Sequence, residues 1–87
     1  MSNGKRQIVI LQRGWIVVGD VTREGNDVVV SNSSVIRRWG TKNGIGQLAL
    51  AGPTPETILD PLGRIESHEL AVVGRIDVTL VNGKPVI

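Results

Sequence analysis

The 87-residue chain contains no cysteine, no phenylalanine and no tyrosine, and it has a single histidine and two tryptophans. Without cysteine there is no disulfide framework, no thiolate metal site and no thiol nucleophile, and a reducing, cytoplasmic setting is the expectation. Without Phe or Tyr the interior must be assembled from 13 valines, nine isoleucines and seven leucines. The excess of β-branched residues over leucine favours strands, because a branched Cβ suits a pleated surface and loses rotamer freedom on a helix. The longest uninterrupted apolar run is four residues, which excludes a helical membrane span and a signal-peptide core, so no membrane partner is expected.

A chain of this length forms one domain, residues 1–87, and buries only somewhat over ~60% of its unfolded surface. Its stability is therefore small or shared with a second copy, and a homo-oligomer is expected. Net charge is +2 but unevenly spread: residues 1–45 carry seven basic and three acidic side chains, residues 46–87 three basic and five acidic. Positive charge gathered in one half of a small domain attracts anions, nucleotides or nucleic acid.

Met1 to Arg6 is polar and reads as a frayed leader. Gln7–Gln12, with Ile-Val-Ile-Leu between polar ends, fits a strand buried on both faces. Trp15–Thr22 is a second strand, with Trp15 expected in the core, and Asp27–Ser31 a third; Arg23-Glu24-Gly25-Asn26 joins them as a hairpin loop. Ser31–Ser34 favours turns and should interrupt the third strand, with Val35–Trp39 resuming it. Gln47–Ala51 holds helix formers ahead of the stop signal Gly52-Pro53, predicting two turns of helix near residues 46–52 held by Leu48 and Leu50 or their neighbours. Ile58-Leu59 is a short edge strand at most, and Asp60–Gly63 a turn. Leu70–Val81 is the last long strand, with Gly74 marking a bulge or a close backbone approach, and Asn82-Gly83 predicts a type I′ turn into a terminal edge strand containing Pro85. The fold class is mainly β (α+β): a strongly bent antiparallel sheet or an SH3-like barrel of five to six strands with one short helix.

Catalytic patterns are missing. One histidine, His68, with loosely spaced carboxylates lacks the convergent ligands of a zinc site and is expected as a solvated loop residue. No nucleophile-elbow pattern surrounds any serine. The glycines Gly44 and Gly46 ahead of the helix match neither the Walker A nor the dinucleotide spacing, although exposed N–H groups at such a turn attract anions. A non-enzymatic protein with no cofactor and no metal is expected. The strongest signal is Arg37-Arg38-Trp39, since guanidinium forks bind phosphate bidentately and an indole face stacks on bases. Along a regular strand Arg37 and Trp39 would share one face and Arg38 the other with Ile36. Trp39 is open to two readings, core or ligand contact. The candidate ligand-binding set is Arg37, Arg38, Trp39, Lys42, Gly44, Gly46 and Gln47.

A strand, a glycine-containing hairpin, Arg38-Trp39-Gly40 and Gln47-Leu48-Ala49 leading to Gly52-Pro53 together resemble small bacteriophage and prophage proteins of a family of unassigned function, over residues 7–78. The resemblance implies a phage origin, host-cell cytoplasm, and a β-rich fold with one short helix; it transfers no catalytic residue. Phage proteins of this size include counter-defence factors, among them small oligomers that soak up cyclic-nucleotide signals. The expected function is accordingly an oligomeric sponge for a nucleotide-like anion held at subunit boundaries. The alternatives are a nucleic-acid-binding small β-barrel, against which the modest charge and few aromatics argue, and a structural or host-protein-binding factor.

Overall fold

The computed structural model describes residues 5–87, so residues 1–4 of the expected leader lie outside it. Lys5 and Arg6 are not leader at all: they open strand β1, Lys5–Leu11. A 3₁₀ turn, Gln12–Gly14, leads to β2, Ile16–Glu24. The hairpin at Gly25 then turns the chain into β3, Asp27–Arg38. Helix α1 spans Ile45–Ala51 and β4 Ile58–His68. A second 3₁₀ turn, Glu69–Ala71, precedes β5, Val72–Asp77, and the chain closes with the two-residue strands β6, Leu80–Val81, and β7, Lys84–Pro85.

The main sheet has the order β4-β3-β2-β1-β5, and all its ladders are antiparallel. The order alone requires a bend. β4 ends beside the β2–β3 hairpin, where His68 pairs with Asp27 and the Glu69 N–H donates to the Asn26 carbonyl at 2.8 Å. β5 begins at the other end of β1, with Val72 opposite Leu11. In a flat sheet these edge strands would stand about 19 Å apart sideways, whereas the four steps from His68 to Val72 reach at most about 14 Å. The sheet therefore curls on itself, yet β4 and β5 form no ladder with each other. Of the two expected architectures, the bent open sheet is the one adopted.

Burial follows the period-2 pattern on both faces. Ile8, Val18, Ile36, Leu48, Ala49 and Val78 form one core, with Val86 and Ile87 packed against it. Val9, Leu11, Val17, Val21, Val28 and Val30 form the other, with Val35, Ile65 and Val72 against it. Neighbours in sequence such as Ile8 and Val9, or Val17 and Val18, thus point into opposite cores, which is why the apolar runs are continuous rather than alternating.

Several expectations are corrected. Trp15 lies outside the core, 53% exposed, because β2 begins one residue later at Ile16 and Trp15 is the residue that follows the 3₁₀ turn. The Ser31–Ser34 stretch does not interrupt β3; the strand runs through it by slipping register between Val30 and Ser34. Asn32 takes a left-handed φ of 48°, the Ser33 hydroxyl donates to the Gly63 carbonyl at 2.5 Å, and Gly19 makes room opposite, where a Cβ would stand 2.5 Å from a Val30 methyl and 2.7 Å from the Ser31 carbonyl oxygen. Asp60–Gly63 is likewise strand rather than turn, so β4 is eleven residues long; Pro61 is tolerated because β4 is an edge. Leu70–Val81 divides into the second 3₁₀ turn, β5 and β6, with a register shift beside Gly74 where a bulge was expected.

The helix arrives where the stop signal placed it, but it buries Leu48 and Ala49 and leaves Leu50 69% exposed. The turn at Asn82 (φ 53°) and Gly83 (φ 79°) has the two left-handed residues of type I′, and Leu80 pairs with Pro85. This terminal hairpin folds over the helix-side core: the Thr79 N–H donates to the Ala49 carbonyl at 2.9 Å. Gly52 ends α1 at φ 90°, and a Cβ there would meet the Val86 carbonyl oxygen at 2.8 Å.

Candidate anion-binding site

The site is built where β3 ends. Ile36 pairs with Leu59 and Arg38 with Ile58, so Arg37 is an extra residue against β4 and the strand is bulged there. Strict alternation would send Arg37 and Arg38 to opposite faces; a bulge re-aims one side chain. Both arginines consequently line one cleft of about 580 Å³, together with Trp39, Gly40, Thr41, Lys42 and Glu56.

The wall behind the cleft is a stapled turn. Thr57 Oγ1 donates to the Trp39 carbonyl and Thr54 Oγ1 to the Gly40 carbonyl, both at 2.7 Å. Thr54 also accepts from the Glu56 N–H at 3.1 Å, which brings Glu56 to the rim. Gly40 is required for this approach: it sits at φ 66°, and a Cβ would lie 2.4–2.5 Å from the Glu56–Thr57 backbone. Beyond it Thr41 is buried and its hydroxyl donates to the Gly44 carbonyl, closing the loop that carries Lys42.

Trp39 is 43% exposed, so of its two readings the core one fails. Arg37 Nε lies 3.0 Å from Asp60 Oδ2, and Arg38 Nη2 lies 3.6 Å from Glu56 Oε2. All four side chains are at least half exposed, and exposed pairs of this kind are worth only ~0–1 kcal/mol. Lys42 makes no ion pair among the described residues. Chemically the cleft offers two guanidinium forks already held at low cost, one free ammonium and a half-open indole face.

Gly44, Gly46 and Gln47 stand outside its lining. Gly44, at φ 83°, is the residue before α1, Gly46 faces open space, and the Gln47 side-chain oxygen accepts from the Asn43 N–H at 2.8 Å, bracing the turn. Sequence reasoning passed over Glu56, Asp60, Thr54 and Thr57. For Thr54, Glu56 and Thr57 the only signal was the Thr-Pro-Glu-Thr composition, which reads as a loop and says nothing about which backbone it will staple; Asp60 read only as the start of a turn. His68 is exposed at the end of β4, where its Nδ1 accepts from the Leu70 N–H at 3.1 Å. Among the described residues no three His, Asp or Glu side chains are grouped to hold a metal, and no helix is long and apolar enough to cross a membrane. Compared with known protein families and with curated proteins, the chain matches no family model and no curated sequence.

Proposed function

We propose that the protein is a non-enzymatic binding protein that holds a nucleotide-like anion of the cyclic-nucleotide class in the cleft at the end of β3. The observation that carries this reading is the bulge at Arg37, which aims two adjacent guanidinium groups into the same cleft as the Trp39 indole and Lys42. A phosphate displaces Glu56 and Asp60 at little cost, gaining charge-assisted bidentate bonds, while a base lies on the indole. Gly44, Gly46 and Gln47 act in this reading by shaping the loop that presents Lys42. Taken with the phage resemblance, the role is a sponge: an oligomer that sequesters a host signal in counter-defence.

Absorbance at 260 nm of the purified protein before and after denaturation, followed by mass spectrometry of what is released, is the first test. A small nucleotide supports the sponge, long nucleic acid supports the nucleic-acid alternative, and neither points to a structural or host-protein partner. Calorimetric titration with cyclic di-AMP and with 3′,5′-cyclic AMP then reads the site directly. Arg38→Ala should weaken binding roughly ten- to a hundredfold, the equivalent of about 1.5–3 kcal/mol for a hydrogen bond to a charged group. Trp39→Ala should lower affinity with little loss in melting temperature, because the indole is half exposed. Arginine variants that bind like wild type would remove this stretch from the function.

A further inference from the structure

The two edges of the sheet are not equivalent. β4 is blunted: Pro61 has no N–H to offer, Gly63 sits at φ 86°, and its pairing with β3 shifts register three times. β5 has no such protection. Its register shift lies beside Val73, which leaves Gly74–Asp77 as a regular stretch. The hydrogen-bond phase of that stretch follows from its neighbours. The Val78 N–H donates to the Arg6 carbonyl, so the even residues of β1 turn their backbone groups toward β5. The Leu11 N–H donates to the Trp15 carbonyl, so the odd residues of β1 turn toward β2. Arg75 and Asp77 stand opposite odd residues, Val9 and Gln7. Their N–H and C=O groups therefore face outward along the edge, with no backbone partner among the described residues.

We infer that a second copy of this chain pairs with this edge, β5 against β5 about a two-fold axis at Ile76, with Arg75 of each copy opposite Asp77 of the other. A two-fold pairing is antiparallel, and only three registers join outward-facing residues of the regular stretch. Arg75 opposite Arg75 and Asp77 opposite Asp77 each set like charges directly across the ladder, which is destabilising. Arg75 opposite Asp77 sets two opposite-charge pairs and forms four main-chain hydrogen bonds. It brings Val73, 68% exposed, toward the Thr79–Leu80 end of the other copy, where Leu80 is 60% exposed. A continuous ten-stranded sheet results, and the liability of an open edge becomes an isologous interface. β5 contributes no residue to the Arg37–Trp39 cleft, so each copy keeps its own site whole, and the inference stands whatever that cleft binds.

The test is a complementary charge pair. By light scattering at tens of micromolar, wild type should have twice the chain mass, while Arg75→Glu and Asp77→Lys should each be monomeric with unchanged far-UV circular dichroism. Mixed together they should dimerise again, since the carboxylate introduced in one variant then faces the ammonium introduced in the other, while the native Asp77 of the first faces the native Arg75 of the second. A further variant does not depend on charge. The chain has no cysteine, and Ile76 would oppose itself as a non-hydrogen-bonded pair with Cα atoms ~4.5 Å apart, within disulfide reach. Ile76→Cys should therefore oxidise to a covalent dimer. A monomeric wild type, charge variants that keep the wild-type mass, a mixture that stays monomeric, or an Ile76→Cys that does not cross-link would each overturn the assignment.

Discussion

The two faces of the sheet are both dry, by different means. On one face Ile8, Val18 and Ile36 are covered by separate pieces of chain, α1 through Leu48 and Ala49 and the C-terminal segment through Val78, Val86 and Ile87. On the other, Val9, Val17, Val28 and Val30 are covered by the sheet's own curl, which brings Ile65 and Val72 across them. A helix of seven residues has no stability of its own in water. The first face therefore rests on a few contacts that pin added segments, whereas the second rests on many similar valine contacts, none of them singular. Each face also has its own polar closure. On the helix side Arg6 donates from Nε to the Ile87 carbonyl at 2.9 Å and from Nη1 to the Asn32 carbonyl at 3.0 Å, with Asp20 alongside at 3.4 Å. On the other side Lys5 and Gln7 meet Asp77 at the surface, at 3.1 and 2.7 Å.

The largest expected effect tests whether the pinned face is the more fragile. Leu48 is fully buried and is the main side chain that α1 sends into the core. Leu48→Ala should cost about 2–5 kcal/mol, set by the cavity left under the helix. Val17→Ala, equally buried on the self-covered face, should cost about 1.5–2.5 kcal/mol. Urea unfolding of the two variants makes the comparison, and a larger loss at Val17 would break it.

Arg6→Ala sharpens the contrast between the polar closures. Only 21% of the Arg6 side chain is accessible, and its removal strands two carbonyls and leaves the Asp20 carboxylate with the Asn32 amide alone, a loss of about 1–3 kcal/mol. Hydrogen exchange should show the Val86 amide, bonded to the Thr79 carbonyl at 2.9 Å, losing protection before any amide of β1 or β2.

The smallest effect is expected at the opposite closure. The Gln7 amide, and then the Lys5 ammonium, hold the Asp77 carboxyl below the usual aspartate range. A carboxyl lowered in the folded state adds stability that is present in full above its ordinary unfolded value. That stability is lost as pH falls through the lower folded value. Within one copy the Asp77 side chain is 64% exposed, so the stability of the fold against pH should show only a shallow acid-side loss, removed in Asp77→Asn. A steep loss below the ordinary aspartate range, abolished in Asp77→Asn, would mean that this closure matters as much as that of Arg6.

Much of the fold was legible in the chain because its signals are local. Ile8–Leu11 reads as a strand buried on both faces because it lacks polar alternation, Trp15–Thr22 as a second strand, and Gly52-Pro53 and Asn82-Gly83 mark the helix end and the last turn by backbone chemistry alone. Local reading failed where a partner strand overrode composition. Ser31–Ser34 and Asp60–Gly63 both carry turn residues, yet each lies opposite the other in the β3–β4 ladder, where Ser33 and Gly63 satisfy one another. Trp15 was misplaced for a related reason: its size favours burial, but one position separates the end of a tight turn from the start of β2.

The sequence by itself determined a β-rich chain with a first strand buried on both faces, one short helix and a basic stretch at Arg37-Arg38-Trp39, because residue type and spacing act over a few positions. Only the tertiary structure decided that the sheet stays open, that Thr54 and Thr57 staple the wall of the cleft, and that both arginines line it. A register shift is the physical reason. It depends on how two strands distant in sequence divide an odd number of residues between them, and neither strand carries that count alone.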